Sequence, residues 1–132
     1  MDKFKVIIVE DDKLELKGTE QILQTEVPEA EIIGTASGES DFWRLLRDGV
    51  PDLVLLDLML PGLSGEEVLP HIKEIPVIVI SAKIDIDSKV GLLMSGATDY
   101  LTKPFDTKEL LARIAVQLRR KEAGRSLKEL KA

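Results

Sequence analysis

Residues 51–65, Pro51-Asp52-Leu53-Val54-Leu55-Leu56-Asp57-Leu58-Met59-Leu60-Pro61-Gly62-Leu63-Ser64-Gly65, decide how the rest of the chain is read. The apolar run Leu53-Val54-Leu55-Leu56 stops at a carboxylate, Asp57, and a second apolar triplet then leads into Pro61-Gly62. A continuous Val/Leu run bounded by proline on both sides fits a parallel strand buried on both faces. Open α/β sheets bind ligands in the crevice at the carboxyl ends of such strands, and Asp57 falls there. A single aspartate after a strand is commonly a turn or cap residue, so its meaning depends on how the other strands end.

Upstream, Lys5 to Val9 (KVIIV) reads as a first strand that breaks into Glu10-Asp11-Asp12. Residues 13–26 carry Leu14, Ile22 and Leu23 at helical spacing, and Val27-Pro28 closes that helix. A short second strand, 31–36, and a helix with Phe42, Leu45 and Leu46 precede the opening stretch; Trp43 reads as packing. Downstream, Ser64 and Glu67 form an S-x-x-E capping pattern for a third helix, which Pro70 should shorten or bend. His71, the only histidine, reads as a surface helix residue. Pro76 to Ile80 is a buried strand ending at Ser81-Ala82-Lys83, followed by a helix over 86–95 closed by Gly96. Thr98 to Thr102 is a short fifth strand ending at Lys103-Pro104, and the last helix starts near Thr107 with Leu110, Leu111, Ile114 and Leu118 on one face.

Five strands alternating with five helices predict an α/β fold with a parallel sheet, because parallel strands need right-handed crossovers. At 132 residues the expected form is a single doubly wound domain with flavodoxin-like strand order 2-1-3-4-5, an order that rests partly on the resemblance given below. Apolar residues at 44% and charged residues at 32% place the chain among folded rather than disordered proteins. No apolar run approaches a membrane span, and MDKFKVIIVE leads straight into a strand without room for a signal peptide. With no cysteine there is neither a disulfide framework nor a thiolate metal site, and the expected location is the cytoplasm. Residues 1–105 hold 10 Lys and Arg against 20 Asp and Glu, a net −10, whereas 106–132 hold 8 against 4, a net +4. An acidic body of this kind does not grip nucleic acid by itself, since phosphate neutralisation needs a basic face. The basic C-terminal segment reads by default as a solvated helix.

Set side by side, the strand ends supply Glu10 and Asp11, then Asp57, Ser81 and Lys103. Carboxylates about 4 Å apart repel by roughly 4 kcal/mol at an effective dielectric near 20, so the cluster calls for protons or a cation. Oxygen ligands without Cys or His point to a hard cation, and Mg2+ fits because it takes one to three carboxylates and shares its shell with a phosphoryl group. Asp57 then reads as a carboxylate nucleophile, with Mg2+ and Lys103 offsetting phosphoryl charge and Ser81 donating a hydrogen bond.

With those residues in view, the chain resembles the receiver domain of two-component response regulators over about residues 4–121. The matching pieces are VIIVEDD, PDLVLLDLMLPGLSG, IPVIVISA and GATDYLTKPFDTKELLARI, in order and correctly spaced. The resemblance implies that Asp57 accepts a phosphoryl group from a phosphohistidine on a sensor histidine kinase. It implies that Glu10, Asp11, Asp57 and the backbone carbonyl of Met59 hold Mg2+, with Asp12 an extra acid. Ser81 stands at the switch hydroxyl position with Ala82 beside it, Tyr100 stands at the switch aromatic, and Lys103-Pro104 matches a peptide bond that is typically cis. The implied protein is a switch and not a turnover enzyme, though it promotes its own Mg-dependent phosphorylation and dephosphorylation.

The Lys103–Arg113 stretch is most similar to receivers linked to winged-helix DNA-binding domains. Those pair as homodimers through a charged face of helix 4, strand 5 and helix 5, where Lys89, Asp99, Glu109 and Arg113 occupy matching positions. Thr98 stands where an acid is common, which predicts a weak, salt-sensitive dimer. Residues 1–121 are thus expected to form the receiver, with 122–132 a helix end and linker to an output domain outside this chain, and DNA contacted only through that domain. Competing readings fit less well. A topoisomerase-primase site needs a second aspartate where Met59 stands, and a flavodoxin-like phosphate loop is incompatible with Glu10-Asp11-Asp12. A stand-alone receiver or phosphorelay intermediate, acting by protein binding without DNA, is the alternative within the family.

Overall fold

The computed structural model describes residues 3–57, 65–72, 74–82 and 86–131. Its elements are β1 (Phe4–Val9), α1 (Lys13–Glu26), β2 (Ala30–Ala36), α2 (Glu39–Asp48), β3 (Leu53–Asp57), α3 (Gly65–Val68), β4 (Val77–Ser81), α4 (Ile86–Ser95), β5 (Asp99–Thr102) and α5 (Thr107–Lys131). All strand pairs are parallel, as the strand and helix alternation predicts, and the order is β2-β1-β3-β4-β5, the one expected from that pattern together with the family resemblance. The third helix is a single α turn continued by a 3-10 turn over Leu69–His71 that contains Pro70, the short helix its proline implies. Ser64, the expected cap of that helix, lies outside the described residues, as does Met59.

Strand periodicity sorts the core onto two faces of the sheet. On one face Ile7, Val9, Val54, Leu56, Val77, Val79 and Tyr100 meet Phe42 of α2, Leu69 and Ile72 of the α3 segment, and Leu92 of α4. On the other, Val6, Ile8, Leu53, Leu55, Ile78, Ile80 and Leu101 meet Leu23 of α1 and Leu110, Ile114 and Leu118 of α5. Only the first crossover steps from β1 outward to β2, and right-handedness therefore puts α1 on the face opposite α2–α4. The chain reverses direction between β1 and β3, which opens a crevice at their carboxyl ends.

Local details follow from individual residues. Gly96 ends α4 at φ 129°, in the left-handed region that favours glycine. In β2, Ile33 is skipped in the register with β1, between the Val6–Ile32 and Ile7–Gly34 pairs. A Cβ on Gly34 would lie 2.5 Å from Leu45 Cδ2, so a larger residue there would require the Leu45 side chain of α2 to shift. α5 continues to Lys131 through the stretch that the sequence suggests is helix end and linker. The lone Gly124 costs only about 1 kcal/mol against alanine, too little to stop a helix of Lys, Glu, Leu and Arg.

Candidate functional site at the carboxyl edge of the sheet

β1 ends at Val9, and the Glu10 N–H extends its pairing by donating to the Ala36 carbonyl at 2.8 Å. β3 ends on Asp57 itself, opposite Ile80 of β4. Glu10 and Asp57 are buried and Asp11 is exposed, yet each offers a carboxylate oxygen within 4.8 Å of the other two. Such a trio can hold a metal ion, and its oxygen-only chemistry suits a hard one.

Lys103, delivered by the end of β5, is the counter-charge. Its Nζ donates to Asp57 Oδ2 at 2.8 Å, to Glu10 Oε1 at 3.0 Å and to Glu15 Oε2 at 2.7 Å. Its backbone N–H donates to the Ser81 carbonyl at 2.8 Å, which ties the lysine to the end of β4. The Lys103-Pro104 peptide bond is cis. Burial pulls the ammonium down, but hydrogen bonds to Asp57, Glu15 and Glu10 outweigh it and hold the group above its ordinary value. Glu10 is pushed up to about 7, first by burial and then by a hydrogen bond shared with Asp57, against the lowering effect of Lys103. Among the described residues one lysine faces these carboxylates and does not neutralise them, which is the electrostatic condition for taking up a cation.

Ser81, fully buried, closes β4 in register with Thr102. Exposed Ala82 follows it and joins Glu10, Glu15, Ile22, Lys103 and Phe105 in lining a cavity of about 550 Å3 between α1 and the β5–α5 connection. Tyr100 is buried on the α4 face, and Lys89 Nζ sits 5.3 Å from its ring centroid, within cation–π range. Of the four residues expected on the charged outer face, Arg113 gathers two. It donates to Asp99 Oδ1 at 2.7 Å and to Glu109 Oε1 at 3.2 Å, and the Asp99 bond in particular raises the guanidinium above its usual value. Thr98, where an acid is common, accepts a 2.9 Å bond from the Val77 N–H at the start of β4.

Two residues gain roles that sequence reasoning misses. Asp12 is the N-cap of α1, its Oδ1 accepting from the N–H groups of Leu14 at 2.9 Å and Glu15 at 3.0 Å. Glu15 is the third partner of Lys103, and only the Asp12-x-x-Glu15 spacing could draw attention to it. His71 is exposed and presents its ring edge-on to Trp43, whose Nε1 donates to Glu39.

Comparison with known proteins places this arrangement. A family model of the response regulator receiver domain matches residues 6–115. The DNA-binding response regulator MtrA of Mycolicibacterium smegmatis is 40% identical over 121 residues, covering 89% of this chain and 52% of that protein. The sensory transduction protein RegX3 of the same organism is 43% identical over 119 residues, covering 87% of this chain and 50% of that one. Among solved structures, the BeF3-activated DrrB receiver domain is 34% identical with a TM-score of 0.77, covering 89% of this chain and 98% of its own. DrrB is described as a Thermotoga maritima OmpR/PhoB homolog. The chain spans about half the length of the curated relatives it matches.

Proposed function

The chain belongs to the family of response regulator receiver domains, and from that premise we propose that it is a phosphorylation-driven switch with Asp57 as phosphoacceptor. The observation that carries the reading is the meeting of Asp57, Glu10 and Asp11 with Lys103 at one sheet edge. A carboxylate oxygen of Asp57 bonds to the phosphorus of a phosphohistidine on a sensor histidine kinase. The phosphorus–nitrogen bond breaks, its electron pair leaves with the imidazole, and an acyl phosphate remains on Asp57. Lys103 holds the carboxylate in place and offsets charge on the phosphoryl oxygens. Glu10, Asp11, Asp57 and the carbonyl of Met59 would hold Mg2+. That ion, when bound, supplies positive charge to the transferring group.

Ser81 donates to a phosphoryl oxygen, and the hydroxyl's movement lets Tyr100 change position beneath Lys89. A local charge change thereby biases a two-state surface made of α4, β5 and α5. That surface carries an exposed apolar stripe on α4, Ile86, Val90, Leu93 and Met94, beside the Asp99–Arg113–Glu109 network, which supports a phosphorylation-promoted homodimer there. The names and lengths of the relatives support residues 1–121 as the regulating part of a DNA-binding protein, with 122–132 leading to its output domain, and the cytoplasm is its proposed location. No helix among the described residues is long and apolar enough to cross a membrane.

The test is mass spectrometry after incubation with acetyl phosphate and Mg2+. Native protein should gain one phosphoryl group and Asp57→Asn none. Equal labelling of both removes Asp57 as the acceptor.

A further inference from the structure

Lysine has three N–H donors, and in Lys103 all three are taken by carboxylates. Asp57 and Glu10 have tasks in the phosphorylation reading. Glu15 has none, yet its contact, at 2.7 Å, is the shortest of the three. Helix capping does not account for its direction. A glutamate three residues after an N-cap typically turns back to the cap's own N–H. Here the Asp12 N–H donates instead to Glu10 Oε2 at 3.3 Å, and Glu15 reaches away from its helix toward the sheet edge.

We infer that Glu15 is a positioning residue that restrains Lys103 and holds back phosphoryl transfer to Asp57. The inference rests on the phosphorylation reading given above. An arriving phosphoryl group is an anion that needs a donor from Lys103, and Glu15 competes for that donor while adding a like charge beside it. Asp57 and Glu10 are fixed at strand ends, whereas Glu15 stands half exposed on the first turn of α1. It is the partner that Lys103 gives up at least cost. Its exposure also limits the effect, since exposed ion pairs contribute weakly, equivalent to a change of about two- to fivefold.

The experiment compares native protein, Glu15→Ala and Glu15→Gln at saturating Mg2+, measuring the initial rate of Asp57 labelling by acetyl phosphate. Because Glu15 is half exposed, both variants keep the fold, which thermal melting checks. Glu15→Ala should label about two- to fivefold faster at low salt, and Glu15→Gln, which loses the charge but keeps an acceptor, should also label faster. Both gains should shrink toward 1 M salt, where screening acts over only about 3 Å. A rate that is unchanged, slower, or faster to the same degree at every salt concentration overturns the restraining role. If native protein labels and Asp57→Asn does not, such a result counts against Glu15 alone. If native protein does not label, the phosphorylation reading falls and the role of Glu15 falls with it.

Discussion

Replacing Lys103 with methionine keeps an unbranched stem and removes the ammonium, which isolates the charge contribution of the site. The Glu15 pair, half exposed, accounts for less than about 1 kcal/mol. The other two pairs join a lysine side chain 17% exposed to carboxylates only 4% and 8% exposed. Stranding buried charges of that kind typically costs about 3–5 kcal/mol. The cluster has an escape, however, because Glu10 already lies near 7 and takes a proton readily. Keeping that proton at a pH one unit above the group's own pKa costs about 1.4 kcal/mol. With the Glu15 pair added, the expected loss is therefore about 1.5–2.5 kcal/mol at pH 8 without divalent cation. For a domain of this size that lowers Tm by roughly 4–12 °C. Circular-dichroism melts in EDTA would measure it, and the deficit should shrink at pH 6, where Glu10 is protonated. Lys103→Met melting with native protein at pH 8 would mean that the three carboxylates are not electrostatically dependent on Lys103.

Further outcomes are expected. The folded-state value of Glu10, about 7 against 4.5 ordinarily, means the native protein binds more protons between those limits. In EDTA its Tm should accordingly fall as pH rises from 5 to 8, and Glu10→Gln should flatten the profile; parallel profiles would contradict the assignment. Asp12→Ala should cost about 1 kcal/mol through loss of the α1 cap, read by urea denaturation, while acetyl phosphate still labels Asp57. At the outer face, sedimentation of beryllofluoride-treated protein should show a salt-sensitive dimer that Arg113→Glu abolishes. Because Arg113 pairs with Asp99 inside one protomer, adding Asp99→Arg can restore the pair within the chain as well as across a two-fold axis. The double variant therefore needs a monomer melt beside the sedimentation result.

The parts of the molecule legible in sequence are those written in contiguous residues. The apolar runs of β1, β3 and β4 are buried throughout their cores, and the break from Leu56 to Asp57 marks the sheet edge in a single step. Glu10, Asp11, Ser81 and Lys103 are legible because each closes a strand or lies within two residues of its end. Glu15 is not, because its bond to Lys103 joins positions 88 residues apart and sits on a helix surface where acids are ordinary. Asp12 reads from sequence only as a surplus acid, although an aspartate just before an amphipathic run is a cap signal. Asp99, Glu109 and Arg113 do share one face, but charge order alone does not say whether partners lie within a chain or between two. Thr98 reads as a missing acid, and only the bond to Val77 gives its hydroxyl a structural task.

The length of α5 has a mechanical consequence. Among the residues whose burial is described, Leu118 is the last of this helix in the core, and the backbone stays helical to Lys131. At 1.5 Å per residue the helix beyond Leu118 is about 20 Å long. A rod anchored at one end converts angle into distance. A tilt of about 5° at Leu118, small enough for repacked side chains to absorb, would sweep the far end through roughly 2 Å on the same rise per residue. A small rotation where α5 packs on the sheet would thus be magnified along the helix into a larger displacement at its far end.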